Sequence, residues 1–221
     1  MQFTLFGTPV RVQPIFWVVI VILGPIWALD DPGGWKLMLV WVPTAFVSIL
    51  VHELGHAFYF RKAGGRPSIL LYGMGGLATA TGRFQRRELL WITAGGPLFG
   101  FALAGMLLFT QRSLAQSGLE PSPLLVAFFV FGINVNVFWT LLNLMPIEPL
   151  DGGQFLRHWM REGKQKLRST IGAVTAGGLA LAGLAFYQSL LMGVLFGYLA
   201  WTNWQAREGE FQNPWNRGGS S

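Results

Sequence analysis

Two histidines and a glutamate stand together in an otherwise apolar run, Val51-His52-Glu53-Leu54-Gly55-His56-Ala57. On an α-helix, residues four apart lie one turn apart on the same face, so His52 and His56 can offer two imidazole nitrogens to one tetrahedral metal ion. Glu53 lies beside them and can hold or deprotonate a water without being a ligand. The residues leading into this motif, Leu37 to Val51, carry no charge. The pattern therefore predicts a metal site within a membrane span. The plainer reading is two satisfied core histidines and a buried acid. It is disfavoured because a charged group in hydrocarbon costs about 2.5 kcal/mol or more unless partnered, and three ionisable groups stand together here.

Two histidines do not complete a catalytic zinc site, which usually takes three protein ligands and keeps a fourth position for water. The chain has no cysteine, so the third ligand must be a carboxylate or another histidine. Asp151, Glu148, His158 and Glu88 are the candidates. Asp151 leads, because it follows the fourth apolar stretch at the same expected depth as His56 and is flanked by Gly152-Gly153, which permit a close backbone approach. Glu148 and His158 stay in reserve. The structural alternative for Asp151 is a turn aspartate after Pro149.

The elements that must position these groups are apolar. Of 221 residues, 52% are hydrophobic and 12% charged, whereas a soluble domain carries about 25% charged residues. The fold class expected is an all-α polytopic membrane protein with about six transmembrane helices and a small membrane-associated β-hairpin. The formal charge of +6 does not indicate nucleic acid, since no basic cluster interleaves with aromatics and topology accounts for the basic residues.

Residues 1–14 form a surface segment with no cleavable signal pattern. Residues 15–153 form the expected core. Its first span, Ile15 to Leu29, is kinked rather than ended at Gly24-Pro25, and its second, from about Trp35 to Phe60, holds the histidines. Ser68 to Gly82 is too rich in glycine to span and reads as a re-entrant hairpin turning around Gly73 to Gly76. The third span runs from Leu89 to about Thr110, with Gly96, Gly100 and Ala104 on one face for close packing. A polar loop follows, and Leu124 to Met145 is the fourth span. Its Asn134 and Asn136 are expected to bond between helices. A basic connector, 154–169, leads to 170–206, long enough for two short spans divided near Tyr187-Gln188-Ser189, the favoured reading, or for one long span plus an interfacial piece, and its glycines suit either a gate or close packing. Residues 207–221 form a tail.

The charges orient this layout. With the N-terminus cytoplasmic, all of the 16 Lys and Arg except Lys36 and Arg112 fall on the inside. Both termini and the opening of the site then face the cytoplasm, with His56 about 8 Å deep at 1.5 Å per residue.

His52-Glu-Leu-Gly-His56, Ala94-Gly-Gly-Pro97 and Asn143-Leu-Met-Pro-Ile-Glu-Pro-Leu-Asp-Gly-Gly153 together resemble the site-2 proteases, the intramembrane zinc metalloproteases of regulated intramembrane proteolysis. The resemblance runs from about Gly7 to Gly153. It implies one zinc ion held by His52, His56 and Asp151, with Glu53 as general base and Asn143 assisting at the oxyanion. The hairpin residues Tyr72, Gly73, Met74, Gly75 and Gly76 would hold an extended substrate as an added strand. The implied partners are the lipid bilayer and a transmembrane segment of a membrane-protein substrate, in a bacterial or archaeal cell membrane. Gly100 stands where many members have Asn, so no role carries over to that position. No PDZ or CBS domain fits the loops or tail, which implies a minimal form.

Two rival functions follow from the same residues. A metal-ion or proton transporter would use intramembrane His, Glu and Asp as an ion path, but further polar residues spread over several spans, or inverted repeats, would be expected and neither is found. A catalytically silent scaffold that binds membrane segments is opposed by the intact Glu53.

Overall fold

The structure is a computed structural model and describes residues 1–73, 75–160 and 163–207. The chain divides into two compact units, Met1–Leu141 and Leu142–Ser221. The expected tail lies outside the described residues apart from Arg207.

The first unit opens with two strands, β1 (Gln2–Leu5) and β2 (Thr8–Val12), followed by the short helix α1 (Pro14–Ile22) and a 3-10 turn over Ile26–Asp30. The long helix α2 (Trp35–Lys62) comes next, then β3 (Arg66–Tyr72) and β4 (Gly75–Thr81), the 31-residue α3 (Arg86–Gln116) and α4 (Pro123–Asn143). The four strands form one sheet in the order β1-β2-β3-β4. Within it β2 pairs β3 in parallel, Val10 opposite Ile69, while β1-β2 and β3-β4 are antiparallel. Alternation sends Val10, Val12, Ile69 and Leu71 to one buried face, where they pack with Phe16, Ile20, Ala45, Ile49, Leu50 and Ala57.

The expected hairpin is therefore present but is half of a four-stranded sheet. The fold is mostly helical rather than all-α, because Thr8–Val12 adds to β3 across more than fifty residues of sequence. A second correction concerns the first span. α1 has nine residues, about 13 Å at 1.5 Å per residue, and ends instead of kinking. Pro25 has no backbone N–H and disfavours a helical conformation in Gly24 before it, so the chain leaves α1 into the 3-10 turn. A third concerns α3, which runs on past Thr110 to Gln116 through residues of good helix propensity.

The second unit holds the end of α4, then α5 (Asp151–Trp159), α6 (Gln165–Ala185) and α7 (Leu190–Gln205). The break between α6 and α7 falls at the expected Tyr187–Ser189. Ile147, Ala176, Ala180, Phe196 and Leu199 form its apolar cluster.

Among the described residues, four helices are long and apolar enough to cross a membrane: α2, α3, α4 and α6. Only 22 to 39% of their most apolar windows is buried inside the protein, so most of each apolar surface needs an apolar solvent. Lipid is as apolar as a leucine side chain, so these helices must associate through close packing and hydrogen bonds rather than a hydrophobic drive. Asn136 on α4 does this, donating to Ser48 Oγ on α2 at 2.8 Å. Asn134 does not. It is exposed and bonds the Val130 carbonyl of its own helix at 2.8 Å, because it lies on the outward face of α4.

Candidate metal centre and active site

His52, Glu53 and His56 lie on the buried side of α2, exposed by only 2%, 4% and 7%. One ligand atom from each falls within 4.8 Å of the other two. The Nε2 atoms of His52 and His56 are 3.3 Å apart. Two nitrogens held about 2.05 Å from one ion at the tetrahedral angle would be about 3.3 Å apart, so the pair already has the spacing of a tetrahedral edge. His56 Nδ1 lies 2.7 Å from the Ile92 carbonyl oxygen. A carbonyl only accepts, so Nδ1 carries the proton and the Nε2 lone pair is left for a metal. The Gly96 N–H, 3.3 Å from the same Nδ1, cannot donate to it in that tautomer, and the shorter contact decides. The donor set fits a zinc ion: two imidazoles on one helix face with a carboxylate beside them.

Missing side chains make this arrangement possible. α2 and α3 cross at Gly55 and Gly95, where a Cβ on either would overlap the other's carbonyl. One residue on, a Cβ at Gly96 would overlap Nε2 of His56 and crowd that of His52. Gly100 has no room either, since a Cβ there would overlap Thr140 Oγ1. The small-residue face expected on the third span is thus the wall of the histidine site.

The sheet approaches the same residues. A Cβ at Gly76 would overlap the Glu53 side chain from Cγ to Oε1. Gly75 has φ +109° and packs beneath Trp139, and Gly73 lies against Ile15 and Val19. Tyr72 is half-buried. Burial first, and then the negative charge of Glu53, push its phenol above the usual tyrosine range. Of the five hairpin residues expected to meet substrate, Tyr72 and Gly76 are thus drawn to Glu53, Gly73 and Gly75 pack against other helices, and Met74 lies outside the described residues. β4 is an edge strand.

Asn143 and Asp151 belong to the second unit. Asn143 is the last residue of α4 and Asp151 the first of α5; both are half-buried. Gly152 and Gly153 let α5 turn back on the chain before it, for a Cβ on them would overlap the Leu144 carbonyl and the Ile147–Glu148 peptide. The other candidate ligands have other partners. Glu148 pairs with Arg168 at 3.3 Å. Glu88 accepts from the Gln85 N–H at 2.6 Å, capping α3. His158, in the last turn of α5, is pushed below the usual histidine range by burial and then by Arg157 and Arg168. The sequence reading did not single out Asn203, whose amide bonds the Glu148 backbone. The signal was available: an asparagine within an apolar stretch, the sign that drew attention to Asn136.

A sequence profile of peptidase family M50 matches residues 113–185, the part that carries Asn143 and Asp151. A Mycobacterium tuberculosis protein bearing the name zinc metalloprotease Rip3 is 30% identical over 210 residues, covering 86% of this chain and 53% of its own length. Coverage of that extent takes in both the His52–His56 motif and Asp151. The chain is thus similar to peptidase family M50 in sequence and to a site-2 protease in fold. A Methanocaldococcus jannaschii protein named as a zinc metalloprotease is 28% identical over 186 residues, covering 83% of this chain and 52% of its own. A solved site-2 protease from the same archaeon superposes with a TM-score of 0.60 at 25% identity, covering 94% of this chain and 93% of that one. The chain spans about half the length of the curated relatives it matches.

Proposed function

We propose that this chain is a zinc-dependent intramembrane endopeptidase that hydrolyses peptide bonds in or near transmembrane segments of membrane proteins. The observation that carries the reading is the buried pair of Nε2 atoms, 3.3 Å apart, with the Glu53 carboxylate beside them on the same helix face. The family resemblance adds Asp151 as third ligand and Asn143 as an additional donor to the oxyanion. The same residues on an intramembrane M50 protein also support zinc as the resident metal.

When bound, zinc supplies Lewis acidity toward a water and the scissile carbonyl. Glu53 removes the proton from that water as its oxygen adds to the carbonyl carbon, and returns it to the nitrogen as the C–N bond breaks, giving an acid and an amine. A helical peptide bond is shielded, so the substrate must be extended before attack. β4 has the unpaired edge for it, and Gly76 keeps that edge within contact of Glu53.

In the proposed orientation both termini and the site opening face the cytoplasm of a bacterial or archaeal cell. Six spans require α1 with its 3-10 turn, and α7, to cross as short segments beside the four long helices. The test is Glu53→Gln with purified protein and a transmembrane peptide substrate. Cleavage should fall by about 10²- to 10⁴-fold while zinc content stays at the parent level. Cleavage at the parent rate would sink the mechanism.

A further inference from the structure

The turn before Asp151 has irregular backbone, and its polar groups need partners that neighbouring helices cannot supply from their own saturated backbones. One side chain supplies two. Asn203 on α7, 2% exposed, accepts from the Glu148 N–H at 3.2 Å and donates to the Glu148 carbonyl at 2.7 Å. Its second amide proton goes to the Leu199 carbonyl of its own helix at 2.8 Å, which fixes the rotamer. A carboxamide is the neutral side chain that offers donor and acceptor at this spacing, so it pairs with Glu148 as a neighbouring strand would.

α6 completes the hold. Gly172 stands where any Cβ would overlap Asn203 Oδ1 and crowd the Pro146 carbonyl, which gives the amide its path to the turn. Four residues earlier Arg168 Nε stands 3.3 Å from Glu148 Oε1, a charge pairing without the alignment of a hydrogen bond. Ile147, fully buried, pins the turn into the apolar cluster of α6 and α7. From the held residue to Asp151 is three positions, stiffened by Leu150 N–H to the Ile147 carbonyl at 2.8 Å and Gln154 Nε2 to the Pro149 carbonyl at 3.0 Å. A shift of Glu148 therefore moves the start of α5, and with it the carboxylate of Asp151.

We propose that Asn203 is a positioning residue for the metal site: α6 and α7 form a bracket that sets the Asp151 carboxylate through the Glu148 backbone. This rests on the reading of Asp151 as a zinc ligand. Groups that orient metal ligands typically change affinity by 10- to 100-fold when removed. The same fall is expected here.

The experiment measures the zinc dissociation constant of the whole chain in detergent by chelator competition. It compares the parent with Asp151→Ala, Asn203→Leu, the double variant, and Val194→Ala, an exposed position of α7 outside the apolar cluster, as a control. Asn203→Leu should weaken zinc binding by about 10- to 100-fold, Val194→Ala should leave it at the parent value, and the double variant should bind like Asp151→Ala alone. If Asp151→Ala binds zinc like the parent, the ligand reading fails, and this inference with it. If Asp151→Ala weakens binding but Asn203→Leu does not, or if the two effects add, the ligand reading stands and the positioning role is overturned. Should Asn203→Leu fail to fold, Asn203→Thr serves under the same criteria, since its hydroxyl can still bond the Leu199 carbonyl while leaving Glu148 unheld.

Discussion

The two units place functional side chains in apolar surroundings by opposite means. In Met1–Leu141 the histidines and Glu53 ride on a regular helix whose backbone is self-satisfied, so the need there is space. It is met by leaving side chains out at Gly55, Gly95, Gly96 and Gly76. In Leu142–Ser221 Asp151 follows an irregular turn whose backbone is not self-satisfied, so the need is support. It is met by adding polar side chains, Asn203 and Arg168, that reach across to Glu148. A side chain on a helix is placed by what is removed around it, and one beside a turn by what is brought to it.

The strongest way to break that contrast is to fill the space. Gly96→Ala adds one methyl where the two Nε2 atoms lie. Zinc affinity should fall on the order of a hundredfold or more, with the protein still folded as judged by helical circular dichroism. Parent-level zinc stoichiometry in this variant would show that the hollow at α3 is incidental. Gly76→Ala sharpens the same point on the other side, because its methyl meets Glu53 and neither histidine. Turnover should drop about a hundredfold, the usual effect of a base displaced by about an ångström, while zinc content is unchanged. A variant that lost zinc together with activity would mean that Glu53 and the metal ligands move as one body.

How much of this was legible in the sequence depends on the range of the interaction. His52, Glu53 and His56 were legible because a helix brings residues four apart together, and so was the β3–β4 turn, where glycines cluster. The glycine face of α3 was legible for the same local reason. The pairing of Val10 with Ile69 was not, since no window of sequence joins them. The bond from Asn203 to Glu148, 55 residues apart, escaped similarly. The end of α1 was misjudged because apolar residues flank Gly24-Pro25 on both sides, and hydropathy outweighed the missing N–H of Pro25.

A weaker effect tests whether hydrogen bonds, as well as hollows, hold the first unit together. Asn136→Leu removes the bond from α4 to Ser48 on α2. Polar bonds between membrane helices average about 0.6 kcal/mol because the separated helices find other partners. Unfolding in detergent should therefore show a loss of about that size, and Ser48→Ala on top of Asn136→Leu should add little. A loss of several kcal/mol would mean that Asn136 supports more than one helix contact.

The smallest effect lies in the second unit and depends on pH. Burial and the neighbouring Arg157 and Arg168 hold His158 below its ordinary range. The unfolded chain therefore binds a proton at this residue more readily than the folded one. Stability contributed here is complete above the unfolded value of about 6.5 and is lost as pH falls through it toward the lowered folded value. The raw pH profile sums over every ionisable group and is not diagnostic. The difference between parent and His158→Gln is, because the two chains differ at this residue alone. Between about pH 7.5 and 5.5 the parent's melting temperature should fall further than that of His158→Gln, by no more than about 2 °C. Equal falls would show that burial and the two arginines do not hold His158 in its neutral form.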